Sequence, residues 1–393
     1  MSSVDADPDQ PQEISRRFGL DKTLTWRIAR VVRAKDPWEA VPHIPRRPSI
    51  GIFTRAMARH GAPPDLIASV HDALNQFERC VEVHSGDRET LEMMLGFQPR
   101  GTTAKRMEAF RKAGFQANSA IWGVRARLQI GVQVMAPSMA DPGSLSLSTV
   151  CGLVDFRRLR PDVPWTIAAP SRWDELQSEQ GMVGPLPIDL SLSPHDPPLL
   201  ADFCSSPLPK MKAVKESRDL TRYMLTEGPV GNTAAASVIF GWRYPRSASK
   251  FQSYPGEEGE HGVVLSTPVE LLIQDLYIHR SLDFAFNPEG VVYSQLPGGP
   301  RYPEHGRQAS QLPVASEVVD LGESPPDTTS PEMHRFGEMV EAACHASGYP
   351  LDEFRGYRLR IKYPPIPSIA ILRHPLLSPQ PGTNGTPPSA PGL

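Results

Sequence analysis

The chain has 393 residues, 39% of them hydrophobic, which is enough for two or three domains that each bury a core. Its formal net charge of −3 excludes a global electrostatic field as the basis for binding nucleic acid or membrane, so any such binding must come from local clusters. The four cysteines, Cys80, Cys151, Cys204 and Cys344, lie far apart without a C-x-x-C pair, which argues against a disulfide framework and against a thiol zinc site.

In chain order, the first segment, "MSSVDADPDQ", is acidic and lacks an apolar stretch, and residues 1–9 are expected to be disordered. No run of about 18 apolar residues occurs anywhere, so neither a signal peptide nor a membrane span is expected. The expected compartment is the cytoplasm, with no membrane partner.

"ISRRFGLDKTLTWRIARVV", Ile14 to Val32, has the pattern of two short helices joined at a glycine. Ile14, Phe18, Leu20 and Ile28 supply apolar positions, Ser15 a small contact residue, and Gly19 a residue that tolerates a left-handed turn. From Ile14 to His60 eleven Lys and Arg stand against three Asp and Glu, so the segment is strongly basic. Residues 12–32 resemble the helix-turn-helix of bacterial transcriptional regulators.

The resemblance implies that the second helix faces double-stranded DNA with Lys22, Thr23, Trp26, Arg27 and Arg30, and that Gln12 and Arg16 of the first helix lie near phosphates. The chemistry suits these roles, since Arg can fork onto guanine O6 and N7 while Lys and Thr bond to phosphate oxygens. Two departures are visible: Thr25 stands where that family carries a buried Val or Ile, and Leu24 comes one place early, which predicts a rotated or shifted second helix. The third helix of such a bundle is expected from "SIGIFTRAMARHG".

Further on, "PPDLIASVHDALNQFERCVEV" carries an apolar stripe of Leu66, Ile67, Val70, Leu74, Phe77 and Val81 at helical spacing, suited to core packing or to a homodimer contact. "DRETLEMMLG" predicts a helix begun by Asp87 and stopped at Gly96. A second basic cluster of Arg100, Lys105, Arg106, Arg111, Lys112, Arg125 and Arg127 reads either as an extension of a phosphate-binding surface or as a solvated helix face with an interdomain contact.

From Asn118 the period becomes two: "SAIWGVRARLQIGVQVMAP" alternates as a strand. Strands are also predicted in "LSLSTVCGLVDF", "DLTRYML", "AAASVIFGWRY", "GVVLS", "GVVYSQL", "YRLRIKY" and "SIAILRH", while "VELLIQDLYIHRSL" suits a strand or a helix. "DFRRLRPDVPW" reads as a strand end with surface arginines, and "EGPVGNTAAAS" as a hairpin turn without the ending of a phosphate loop. Residues 297–331 read as a linker or long loop, "EMHRFGEMVEAACHASG" as an amphipathic helix, and 376–393 as a disordered tail.

The expected fold class is therefore α+β, with a helical domain over 10–116, a β-rich domain over 117–296, and residues 332–375 completing the latter. Pairs such as Cys80 with His84 and His279 with Asp283 offer two metal ligands each, which do not make a site, and no hydrolase or dinucleotide motif occurs, so no metal, cofactor or catalytic residue is assigned. The function expected is a DNA-binding transcriptional regulator with a β-rich sensing or oligomerisation module, its effector unknown. The alternative is a non-catalytic interaction or assembly protein with a basic helical domain.

Overall fold

A computed structural model of the chain describes residues 4–96, 103–168, 185–193, 196–215, 221–226, 228–295, 309–314 and 316–378. The fold is α+β and divides into two compact units, Met1–Met107 and Glu108–Leu393.

The first unit holds helices α1 (Pro11–Phe18), α2 (Lys22–Arg33), α3 (Pro37–Ala40), α4 (Arg47–Arg59), α5 (Pro64–Ser85) and α6 (Arg88–Gly96). Gly19 ends α1 at φ 63°, ψ 34°, and its N–H donates to the Ser15 carbonyl. Asp21 then caps α2, accepting from the N–H groups of Thr23 at 2.8 Å and Leu24 at 3.1 Å. Ile14, Phe18, Leu20, Leu24 and Ile28 pack with Phe53, Ala56 and Met57 of α4, so "SIGIFTRAMARHG" does supply the third helix of this core.

Two expectations change here. Residues 4–9 are not without structure, because Val4 and Ala6 are buried in the same cluster, two apolar side chains that an acidic, low-complexity reading overlooked. On α5 the apolar stripe is buried only at Leu74 and Val81, and Leu66 and Val70 are exposed.

The α-helix that begins at Thr103 runs on to Trp122 as α7, most of it in the second unit, so the strand does not begin near Asn118. Gly123, at φ 72°, ends it with an N–H bond to the Ser119 carbonyl, 2.9 Å. The alternating residues Ser119–Trp122 are the last turn of a helix, and a few residues cannot distinguish the two periods. Strands follow as β1 (Val124–Pro137), β2 (Ser144–Arg158), β3 (Trp165–Ala168), β4 (Leu186–Pro187), β5 (Met211–Lys215), β6 (Thr221–Leu225), β7 (Ala236–Ser249), β8 (Glu258–Leu265), β9 (Val269–His279), β10 (Glu289–Ser294) and β11 (Val318–Glu323). Helix α8 (Phe336–Ser347) and strands β12 (Phe354–Lys362) and β13 (Ser368–Pro375) complete the unit.

The main sheet has the order β11-β12-β9-β1-β2-β7-β4, and two three-stranded sheets have the orders β10-β13-β8 and β3-β6-β5. β1 and β9 are parallel at its centre, with Ile130 opposite Ile273, and their neighbours are antiparallel. Helix α8 covers one face: Phe336, Met339, Val340, Ala343 and Cys344 pack on Ile130, Val132 and Val134 of β1 and on Ile273 and Tyr277 of β9. The β10-β13-β8 sheet covers the other, with Leu265, Val292, Ala370 and Leu372 against Leu272, Leu276 and Leu359. Cover on both faces explains why β1 alternates between buried and half-buried only up to Ile130 and is continuously buried from there to Ala136. At Gly131 the second layer comes so close that a Cβ would collide with Val263.

Several later expectations also change. Of the two readings open for "VELLIQDLYIHRSL", the strand is the one found, over Val269–His279, buried because it lies at the sheet centre. The stretch 297–331 is not wholly a linker, since β11 lies in it and pairs with β12; an edge strand with a mostly exposed pattern gives little periodic signal. The segment 228–237 is not the turn of a hairpin, because β6 and β7 belong to different sheets, and Glu227 lies outside the described residues. Arg158 is not a surface arginine: it is buried and donates to the carbonyls of Val163 and Thr226. Of the expected tail, Leu377 exchanges backbone hydrogen bonds with Lys250 and Gln252, and 379–393 lie outside the described residues.

Candidate nucleic-acid interface

The inward stripe of α2 is Leu24, Thr25, Ile28 and Ala29, all buried. Thr25 reaches this position without stranding its hydroxyl, which donates to the Lys22 carbonyl at 3.0 Å. Leu24 and Thr25 are thus accommodated side by side, and the outward face remains Lys22, Thr23, Trp26, Arg27 and Arg30, every one of them exposed. Spacings of three and four residues bring these side chains onto one strip of the helix. Gln12 and Arg16, one turn apart on α1, are exposed as well.

The turn between the helices is fixed twice over. Ser15 donates its hydroxyl to the Leu20 carbonyl at 2.7 Å, and Leu20 N–H returns to the Ser15 carbonyl at 3.0 Å. A small residue is needed at Ser15 because it is buried where α1 meets the turn.

Charge is distributed unevenly among the basic residues. Arg33 pairs with Asp9 at 3.2 Å, Arg17 donates to the Asp5 carbonyl, and Arg47 pairs with Glu78. Arg16, Lys22 and Arg27 carry no ion pair among the described residues. Arg30 places Nη1 3.5 Å from Nε2 of His43, which sits in the short helical turn Val41–His43 after α3. Burial first, then the charges of Arg30 and Arg27, hold the His43 imidazole below its ordinary range, so that ring faces the two guanidinium groups as a neutral acceptor. Sequence reasoning missed His43. The signal was Asp36, which caps α3 by accepting from Glu39 N–H at 3.0 Å and so sets the turn that carries His43.

Several side chains of the second basic cluster are engaged within the protein. Arg111 donates to the Lys362 carbonyl, Lys112 lies over the Tyr363 ring, and Arg127 pairs with Asp155 and donates to the Glu332 carbonyl. Arg106 lies 3.9 Å from Glu92, and Arg100 falls outside the described residues. His279, weighed above as half of a metal pair, bonds to Ser281 at 2.8 Å and Glu353 at 2.9 Å, and no group of three metal-ligating side chains occurs among the described residues. Nor is any described helix long and apolar enough to cross a membrane.

No protein-family model matches the chain, and no curated protein matches it. A solved structure from Parabacteroides distasonis, described as a candidate protease, is similar at a TM-score of 0.24 and 8% identity over 64% of this chain and 40% of that one. This chain thus spans less than half the length of the structure it matches, and likeness at that level carries no argument about fold or function.

Proposed function

We propose that the chain is a DNA-binding protein that acts as a transcriptional regulator, with α2 as the reading helix. The observation that supports the reading most is the clean division of that helix: its apolar stripe is consumed by the α1 and α4 core, while Lys22, Thr23, Trp26, Arg27 and Arg30 stay exposed together. A purely structural helix of this length gains nothing from concentrating three cations on its outer face, where like charges repel. Arg27 and Lys22 then reach phosphates or base edges, and Gln12 and Arg16 contact the flanking backbone.

The same reading takes a second copy of the chain as partner, because helix-turn-helix readers commonly engage paired half-sites about one turn of DNA apart. It also takes the cytoplasm as the compartment. Binding of the full chain to duplex DNA, measured by fluorescence anisotropy between low and moderate salt, tests it. Affinity that falls steeply with salt is expected, and an enriched motif should emerge from random duplexes. Binding with neither property would reject the reading in favour of the interaction-protein alternative.

A further inference from the structure

Beyond the end of α8 the character of the main sheet's face changes. Under the helix the face of β2 and β7 is apolar, with Val150 and Ile239 in the core. On that same face stand Ser148, two residues from Val150 on β2, and Arg243, four residues from Ile239 on β7, which are directly paired in the β2–β7 register. They line a cleft of about 680 Å³, with Ile188, Leu200 and Phe203 along one wall and Ala346 of α8 on the other.

Ser148 is 1% exposed, yet among the described residues its hydroxyl finds no hydrogen-bond partner, and neither does the buried Nε of Arg243. No carboxylate lies within ion-pair distance of Arg243 among the described residues. Asp189, also in the lining, is occupied by the N–H and hydroxyl of Ser191. A buried donor left unmade costs about 1–3 kcal/mol, so an adjacent hydroxyl and guanidinium, both unanswered and both facing one cleft, are groups held ready for an acceptor.

We infer that this cleft binds a small carboxylic acid with an apolar body, its carboxylate on Arg243 and Ser148 and its hydrocarbon between Leu200, Phe203 and Ala346. The volume suits such a molecule, and one convergent polar corner in an apolar wall fixes its orientation. A planar carboxylate matches the fork of an arginine. Phosphate is the poorer fit, because the cleft is also lined by Asp189, Asp202 and the C-terminal turn of α8, whose carbonyls carry partial negative charge. A single negative charge is accepted there; a second is opposed. The site lies wholly within the second unit and stands whether or not the first unit binds DNA.

Isothermal titration of the full chain with phenylacetate tests it, with phenylacetamide and inorganic phosphate as comparisons. Phenylacetate should bind saturably, and the uncharged amide about tenfold or more weaker because the charge-assisted bonds are lost. Arg243→Gln should abolish phenylacetate binding, and Ala346→Leu, which keeps helix propensity and fills the cleft, should abolish it with Arg243 intact. Ser148→Ala should weaken it several-fold without lowering the melting temperature, since it removes an unpaired buried hydroxyl. The proposal is overturned if phenylacetate fails to bind at millimolar concentration, if phosphate binds as well, or if Arg243→Gln and Ala346→Leu leave binding unchanged.

Discussion

His261 and His374 face each other inside the second unit with their Nε2 atoms 3.2 Å apart and their rings stacked at 25°. Nδ1 of His374 donates to the Pro375 carbonyl at 2.7 Å, so its Nε2 accepts, and the proton between the rings belongs to His261. Both rings are therefore neutral, and burial pushes His261 down to about 3. The unfolded ring binds a proton near pH 6.5 and the folded one does not, so the contribution to stability is full above that value and is lost as pH falls toward 3. Urea unfolding at pH 5.5 should give about 1.4 kcal/mol less stability from His261 than at pH 7.5, and His261→Leu should flatten that slope. An unchanged slope in the variant would contradict the neutral pair.

Asp275 and Arg358 form a second buried pair, across β9 and β12, with two bonds of 2.8 and 2.7 Å and exposures of 0% and 6%. Arg358→Met leaves a buried carboxylate without its cation and should cost about 3–5 kcal/mol, whereas the double variant Asp275→Leu/Arg358→Met should cost less than the sum of the two single changes. Asp155→Asn breaks the half-exposed pair with Arg127 and should cost under about 1 kcal/mol. Equal losses for Arg358→Met and Asp155→Asn in denaturant melts would refute the distinction.

A Cβ at Gly19 would meet no atom within 4 Å, so the cost of replacing this glycine is one of backbone alone. At φ 63° an alanine should cost about 1–2 kcal/mol, valine more and asparagine less. Thermal melts of the three variants check the order; a valine variant as stable as the parent would show that the turn does not need its left-handed residue.

Burial, then the charges of Arg30 and Arg27, lower the affinity of His43 for protons, and a phosphate bound between the two guanidinium groups would offset the part due to charge. DNA binding should therefore take up a proton and strengthen as the pH is lowered from 7.5 to 6, with the dependence removed in His43→Gln. The same pH profile in His43→Gln as in the parent would place the phosphate elsewhere.

Much of this architecture was legible where a feature is local. The turn at Gly19, with Ser15 as its small contact residue and Ile14, Phe18 and Leu20 as its apolar positions, follows from residues within a few positions of one another, whereas the Asp21 cap went unread. The β-rich part announced itself in the alternation of β1, but not its limits, because the last turn of α7 alternates too. What the sequence hid depends on pairing at long range. Edge strand β11 shows only through its partner β12, Arg158 reads as a surface residue until the strands that bury it are paired, and Ser148 and Arg243 become neighbours only through the β2–β7 register. His43 escaped for a related reason, since no periodicity connects a turn after α3 to a face of α2.

The most direct test of the central claim is the affinity of the Arg27→Ala/Arg30→Ala double variant for a duplex selected by the parent chain, with circular dichroism confirming that the helices remain. Both side chains are exposed, so the fold should survive. If either arginine reads a base edge, specific binding should weaken by about 1–3 kcal/mol, and each lost phosphate contact should lower the salt slope by about one unit. A folded double variant that binds the selected duplex with the affinity and salt slope of the parent would contradict the assignment of α2 as the reading helix.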